Sequence, residues 1–274
     1  MRRRRPTRAR RAPLPAAPAP LGVLAALVGA LAACAPAPVG ELPTTAVVVG
    51  TCKDKTTAEE VVGVSDSSPA VPCTSPHTVE TYALGALADE VARLGPQRPA
   101  PEVLLNAPGE TCPLAPLRPY LGAGELDSQW GLGVFAKFPT RAEWEDGVRT
   151  VLCDLVVEAP PGTVPRIDVP LRDVMRYTDS ARVRLCRSGE RLHTCDQPHD
   201  AERAGDVPAG PPAPERTAAC EQRGHEYTGT PPAEPGAATG WRADVVVRDG
   251  QAQCWLAAVD GPVTGTLRTG LVPR

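Results

Sequence analysis

Aromatic side chains are scarce in this chain, with two Phe, four Tyr and four Trp among 274 residues. A core with so few rings buries less apolar area per residue, so covalent cross-links are the expected supplement to burial. Lysine is scarcer still: Lys53, Lys55 and Lys137 are the only lysines, and every other basic residue is arginine. The apolar run Leu21 to Ala33 has 13 positions, short of the roughly 20 that a membrane-spanning helix requires. Cys-x-x-Cys spacing is absent, which removes the usual redox motif and most zinc clusters. A Gly-x-Ser-x-Gly elbow and a phosphate loop are absent too. Past Arg11 there is no basic run, which speaks against binding nucleic acid or anionic lipid heads.

Cysteine, by contrast, is plentiful. Nine are present, an odd count for an exported chain. Arg2, Arg3, Arg4, Arg5, Arg8, Arg10 and Arg11 form a positive start, and the apolar run that follows ends in Leu31-Ala32-Ala33-Cys34. This order of charge, apolar run and small residues is that of a signal peptide over residues 1–33, and its last four residues have the form of a bacterial lipobox. An ordinary signal peptide cleaved near Ala33 or Ala37 is the competing reading. The unpaired ninth cysteine favours lipidation of Cys34, and palmitate-type acyl chains would then hold the protein on the outer face of the cell membrane. Residues 34–45 are rich in Pro and Ala and read as a tether. Without the seven leader arginines the chain has 22 basic and 32 acidic residues, a net charge of −10.

The other eight cysteines fall four and four: Cys52, Cys73, Cys112 and Cys153, then Cys186, Cys195, Cys220 and Cys254. A motif recurs with them. Cys73, Pro76, His77 and Glu80 match Cys195, Pro198, His199 and Glu202 at a constant offset of 122 residues. A repeated motif that uses two of only four histidines indicates internal duplication, with repeats over residues 46–162 and 163–274. The expected class is α+β: two tandem small disulfide-stapled domains, each a short antiparallel sheet with one or two helices. Strands are expected at residues 45–51, 79–84, 131–138 and 150–157. Helices are expected at 86–94 and 101–106, with a short third after the capping-box pattern Thr140-Arg-Ala-Glu143. Asp249-Gly250 between two strand-like runs predicts a two-residue hairpin over 243–258. Residues 165–177 read as the link between halves. Gly210 to Pro214 and Thr230 to Gly236 read as surface loops, since proline supplies no ladder donor.

The run from Val71 to Glu80, together with Trp144, Gly147, Arg149 and Cys153 downstream, resembles the septum formation family of actinobacterial envelope proteins. That family shows Pro-Cys-x-x-Pro-His-x-x-Glu, then a helical cysteine, then Trp-x-x-Gly-x-Arg-x-x-x-Cys. The second half matches at Cys195, Pro198, His199 and Glu202. Its ending departs, because Trp241 lies too far upstream of Cys254. The resemblance implies a role near cell division and brings no catalytic residues with it.

In an oxidising compartment the eight cysteines are expected to pair. Three pairings are open in each half. Cys52–Cys73 with Cys112–Cys153, and Cys186–Cys195 with Cys220–Cys254, would tie strand to strand near the motif and helix to final strand. His77 and His199, with Glu80 and Glu202, are the candidates for metal binding or general base chemistry. An offset of three along a strand puts the two side chains on opposite faces, which favours a structural role. Ser75 invites a nucleophile reading, but its counterpart is Gln197. Trp144 and Trp241 are expected in the core rather than in a groove. No metal, cofactor or catalytic residue is expected. The leading reading is a non-catalytic lipoprotein contacting envelope or division proteins. The alternatives are a ligand or metal carrier using His77 and His199, and a hydrolase using Glu80 and His77. Cys34→Ala is expected to leave the protein without lipid and to move it from the membrane to the soluble fraction, read by fractionation and mass spectrometry.

Overall fold

The computed structural model describes residues 47–107, 111–127, 130–158, 162–231 and 240–274. The leader, Cys34, the tether and most of the second proline loop lie outside the described residues.

Short strands set the architecture. In the first half β1 (Cys52–Lys53), β2 (Ala70–Val71), β3 (Val79–Ala86), β4 (Leu132–Lys137) and β5 (Thr150–Val157) form one antiparallel sheet in the order β2-β1-β3-β5-β4. In the second half β6 (Leu185–Ser188), β7 (Arg191–Thr194), β8 (Ala201–Val207), β9 (Trp241–Arg248) and β10 (Gln251–Ala258) form another, ordered β7-β6-β8-β10-β9. The two orders are the same walk through five strands. Register agrees as well, since Cys52 lies opposite Glu80 and Cys186 opposite Glu202. Even the irregularity repeats. Thr81 and Ala83 face Asp154 and Cys153, leaving Tyr82 as the extra residue; Arg203 and Gly205 face Trp255 and Cys254, leaving Ala204. A bulge adds twist and re-aims the side chains beside it.

Among the described residues six α-helices accompany the sheets: α1 (Ala58–Val62), α2 (Asp89–Ala92), α3 (Pro101–Leu105), α4 (Leu117–Leu121), α5 (Arg141–Glu145) and α6 (Ala213–Thr228). At α5 Thr140 and Glu143 complete the capping box, and Trp144 is buried. Alternation along β5 sends Cys153, Leu155 and Val157 into the main cluster with Leu121, Leu171, Val174 and Met175, while Val156 meets Val61 and Val79 on the other face. In the second half Cys254 and Leu256 join Cys220, Tyr227 and Trp241, while Trp255 and Ala257 pack on Ala201. The class is therefore mixed α+β, with two antiparallel five-stranded sheets and four disulfides.

The expected strand at 45–51 is displaced: Val49 and Gly50 turn, with Gly50 at φ 94°, and pairing starts at Cys52. The helix expected over 86–94 shrinks to α2, because β3 runs on through Ala86. Helix α6 occupies ground where the proline run of Gly210 to Pro214 suggested loop. Pro214 sits in its first turn, where a missing N–H leaves nothing unsatisfied, and Gly229 ends it at φ 63°. The Asp249-Gly250 hairpin forms with both residues at positive φ, 51° and 77°.

Residues 165–177 do more than link. Ile167 bridges His77, and Leu171, Val174 and Met175 enter the first core. Val263 bridges His199 in the same way, and Leu267 packs on the second core. Each sheet thus carries a trailing segment laid over its motif. All described residues belong to one compact unit.

Gly224 on α6 lies against Trp241 and Leu256, and an added Cβ would clash with the indole and sit 2.8 Å from the Leu256 side chain. Gly224→Ala is expected to destabilise by about 1–3 kcal/mol through overpacking, measured by denaturant unfolding.

Candidate functional site

The repeated motif begins as a turn. Ser75 N–H donates to the Pro72 carbonyl at 2.9 Å, and Pro76 then delivers the chain to His77 just ahead of β3. His77 exchanges two backbone hydrogen bonds with Ile167, at 2.8 and 2.9 Å; His199 does the same with Val263, at 2.8 and 2.9 Å. Each imidazole Nδ1 lies 2.8 Å from a carbonyl two residues back, Ser75 in one half and Gln197 in the other. A carbonyl can only accept, so Nδ1 carries a proton. The contact needs a backbone oxygen, not a side chain. Serine in one copy and glutamine in the other are therefore equivalent, and the nucleophile reading of Ser75 loses its footing.

Both rings are fully buried, and Nε2 of each has no hydrogen-bond partner. His77 Nε2 points toward Glu80, 3.8 Å from Oε2. The expectation that His77 and Glu80 take opposite faces is corrected here. It assumed one continuous strand, whereas His77 precedes β3 and only Glu80 belongs to it.

The glutamates are the centre of the arrangement. Glu80 accepts from the Leu171 N–H at 2.7 Å, the Arg172 N–H at 3.2 Å and the Tyr120 hydroxyl. Glu202 accepts from the Tyr227 hydroxyl at 2.7 Å, from Thr266 Oγ1 and from the Leu267 N–H. A carboxylate this deeply buried is tolerable only with donors on its oxygens. The tyrosines stay protonated to serve as those donors: burial first, and the adjacent glutamate second, push both phenols above their usual range. Arg172 stacks over Tyr120 at 4.9 Å, and Arg268 over Tyr227 at 5.6 Å. Tyr120, Tyr227, Arg172 and Arg268 escaped the sequence reading. The available signal was Ile167…Leu171-Arg172 against Val263…Leu267-Arg268, equal in internal spacing, the first in the segment read as a link and the second past the expected hairpin.

Sulfur completes the site. The structure pairs Cys52–Cys73, Cys112–Cys153, Cys186–Cys195 and Cys220–Cys254. Cys52 Sγ lies 3.3 Å from Glu80 Oε2; within a disulfide it has no proton to give, so this is packing. Cys186, Cys195, His199 and Glu202 bring their ligand-type atoms within 4.8 Å of one another, and Cys52, Cys73 and Glu80 do likewise. Paired sulfurs lack the thiolate charge that binds a cation. What remains for a metal is, in the second half, one imidazole nitrogen and a carboxylate already engaged by donors, and in the first cluster the engaged carboxylate alone. Each histidine faces the glutamate of its own half, so the two do not assemble one shared pocket. Trp144 is wholly buried with its N–H on the Gly95 carbonyl at 3.0 Å, and Trp241 is buried against α6. The two tryptophans are not counterparts, because Trp144 follows β4 in a helix while Trp241 opens β9.

The arrangement can therefore do one thing well. It clasps a trailing segment onto each sheet through a buried carboxylate, with a disulfide alongside. Comparison with known proteins adds a family: a model described as septum formation matches residues 49–252 in a single span that runs through both sheets. No curated protein and no solved structure matches the chain.

Removing one donor tests the clasp. Tyr120→Phe and Tyr227→Phe are each expected to cost about 1–3 kcal/mol, since the glutamate stays buried with one donor fewer. Thermal unfolding of each variant and of the pair measures it.

Proposed function

Because the chain belongs to the septum formation family, we propose that it acts as a non-catalytic lipoprotein on the outer face of the cell membrane, where it contacts division or envelope proteins. In this reading Cys34 holds the lipid, residues 34–45 form the tether, and the folded part consists of two tandem copies of one domain. The matching strand order, bulge, disulfides and clasp of the two halves support the duplication, although the family match runs through both as one span.

One observation carries the non-catalytic reading. The residues that looked most chemical, His77, Glu80, His199 and Glu202, are buried and engaged in holding the chain to itself. Substrate has no access to a group of that kind, and among the described residues neither imidazole is hydrogen-bonded to a nucleophile. A second reading, metal binding, draws support from the unpartnered Nε2 atoms of His77 and His199. Elemental analysis of the purified protein, with His77→Ala and His199→Ala as controls, separates the two.

A fluorescently tagged chain in its own host is expected to concentrate at division sites, and deletion is expected to give misplaced or incomplete septa. Uniform distribution with normal septa would remove the septal role while leaving the envelope anchor standing.

A further inference from the structure

Three of the 29 basic residues are lysine, and all three are buried together beneath the first sheet. Lys53, Lys55 and Lys137 are 3%, 2% and 2% exposed. Asp66 lies among them. Its Oδ1 touches Lys55 Nζ and accepts the Ser68 N–H at 2.8 Å, while its Oδ2 faces Lys53 Nζ at 3.1 Å. Lys55 Nζ also donates to Ser68 Oγ at 2.9 Å. Lys137 Nζ donates to the Val61 and Gly63 carbonyls. Asp154 accepts from Thr81 Oγ1 at 2.7 Å, and its Oδ2 is buried with no partner.

The other half lacks this cluster. Strand register equates Lys53 with Arg187, Thr81 with Arg203 and Asp154 with Trp255, and there both arginines stack on the indole, at 4.7 and 5.6 Å. An arginine-rich chain that reserves its lysines for one buried spot uses something arginine does not have. Both make ion pairs, but only lysine can give up its proton and become a nucleophile.

The geometry points to an intramolecular amide bond between Lys55 Nζ and Asp66 Cγ, made by the folded chain itself. The ammonium and carboxylate of the buried pair together hold every atom required. One ammonium proton first passes from Nζ to Oδ1 across their contact, giving a neutral amine and a carboxylic acid; Nζ then attacks Cγ, a second proton follows from nitrogen to Oδ1, the Cγ–Oδ1 bond breaks, and Oδ1 leaves as water. The third proton stays on the amide nitrogen. No oxidant, reductant or external proton enters. Oδ2 carries the negative charge that develops in the tetrahedral intermediate, and the Lys53 ammonium stands 3.1 Å from it, placed as an electrostatic stabiliser. Holding the two groups in contact supplies the effective concentration, which for well-oriented intramolecular reactions reaches about 10⁵–10⁸ M. Loss of two buried charges favours the product, because an ion pair out of water carries a desolvation cost that an amide avoids. The starting state is a true ion pair. Burial pushes the Asp66 carboxyl up, but the Lys55 hydrogen bond, the Ser68 N–H and the Lys53 charge outweigh it and hold the group at about 2.

The test is mass spectrometry of the purified, disulfide-reduced full chain, intact and after proteolysis. The intact chain is expected to be lighter by one water than the mass calculated for its processed and lipidated form. The digest is expected to contain a branched peptide joining Lys55 to Asp66, a readout independent of any lipid on Cys34. Lys55→Arg retains a cation in the cluster, so it is expected to fold and to recover full mass. A full-mass wild-type chain would overturn the assignment. So would a one-water deficit carried by a linear peptide, the mark of a succinimide at Asp66, or a deficit that persists in Lys55→Arg.

Discussion

A carboxylate taken out of water must be met by donors from the protein, and most of this structure is arranged around two such groups. Glu80 and Glu202 are each about as buried as the leucines of the core. Their donors come from far along the chain. For Glu80 the tyrosine lies 40 residues on and the Leu171 N–H 91 residues on. A strand, a helix and a trailing segment therefore converge on one functional group, and misplacing any of the three leaves a buried charge exposed to nothing. That penalty, more than any attractive term, specifies how each half closes. Lengthening or shortening the intervening loops changes the closure entropy only slowly. The second half can thus be more compact than the first and keep the same clasp.

Disulfides hold what the clasp does not. Strand β1 has two residues and β6 has four, too few to stay paired by ladder bonds alone. Each carries the first cysteine of its half, bridged across 21 residues to Cys73 and across nine to Cys195. The bridges land at the motif, so the same turn that positions the histidine also pins the edge of the sheet. Cys220–Cys254 then ties α6 to β10, as expected of a helix-to-strand bridge, whereas Cys112–Cys153 ties β5 to the loop between α3 and α4, because Cys112 falls outside both helices. With ten aromatic residues in the whole chain, burial is modest and this division of labour follows.

Patterns of local origin were legible in the sequence. The Asp249-Gly250 hairpin, the Thr140 capping box and the strand from Thr150 to Val157 depend on neighbouring residues and appear where their motifs place them. Helix α6 was hidden because prolines that end a loop can equally begin a helix, and its weak amphipathic pattern gives no sharp period. The site was half legible. His77 and Glu80 stood out through repetition, but the reason for their repetition lay in Tyr120, Leu171 and Arg172, whose relation to the motif exists only after folding. Likewise the burial of Lys53, Lys55 and Lys137 contradicts the usual surface habit of lysine, and no periodicity announces it.

The two halves agree on one face of their sheets and differ on the other. On the core face, Cys153 and Cys254 occupy the same place under the same kind of helical cover. One residue further along, the side chain turns to the opposite face and the likeness ends: Asp154 among lysines in one half, Trp255 between two arginines in the other. Both solutions cover the sheet, the first with charge and the second with an aromatic ring. Covering by charge is the costlier of the two, because burial raises the Asp154 carboxyl and lowers the Lys137 ammonium, each away from its charged form. A sheet that needed only cover would have no reason to depart from the ring. The clasp accounts for what the halves share. The charged face accounts for what the first half has alone, and it is there that a property beyond mere folding has to be sought.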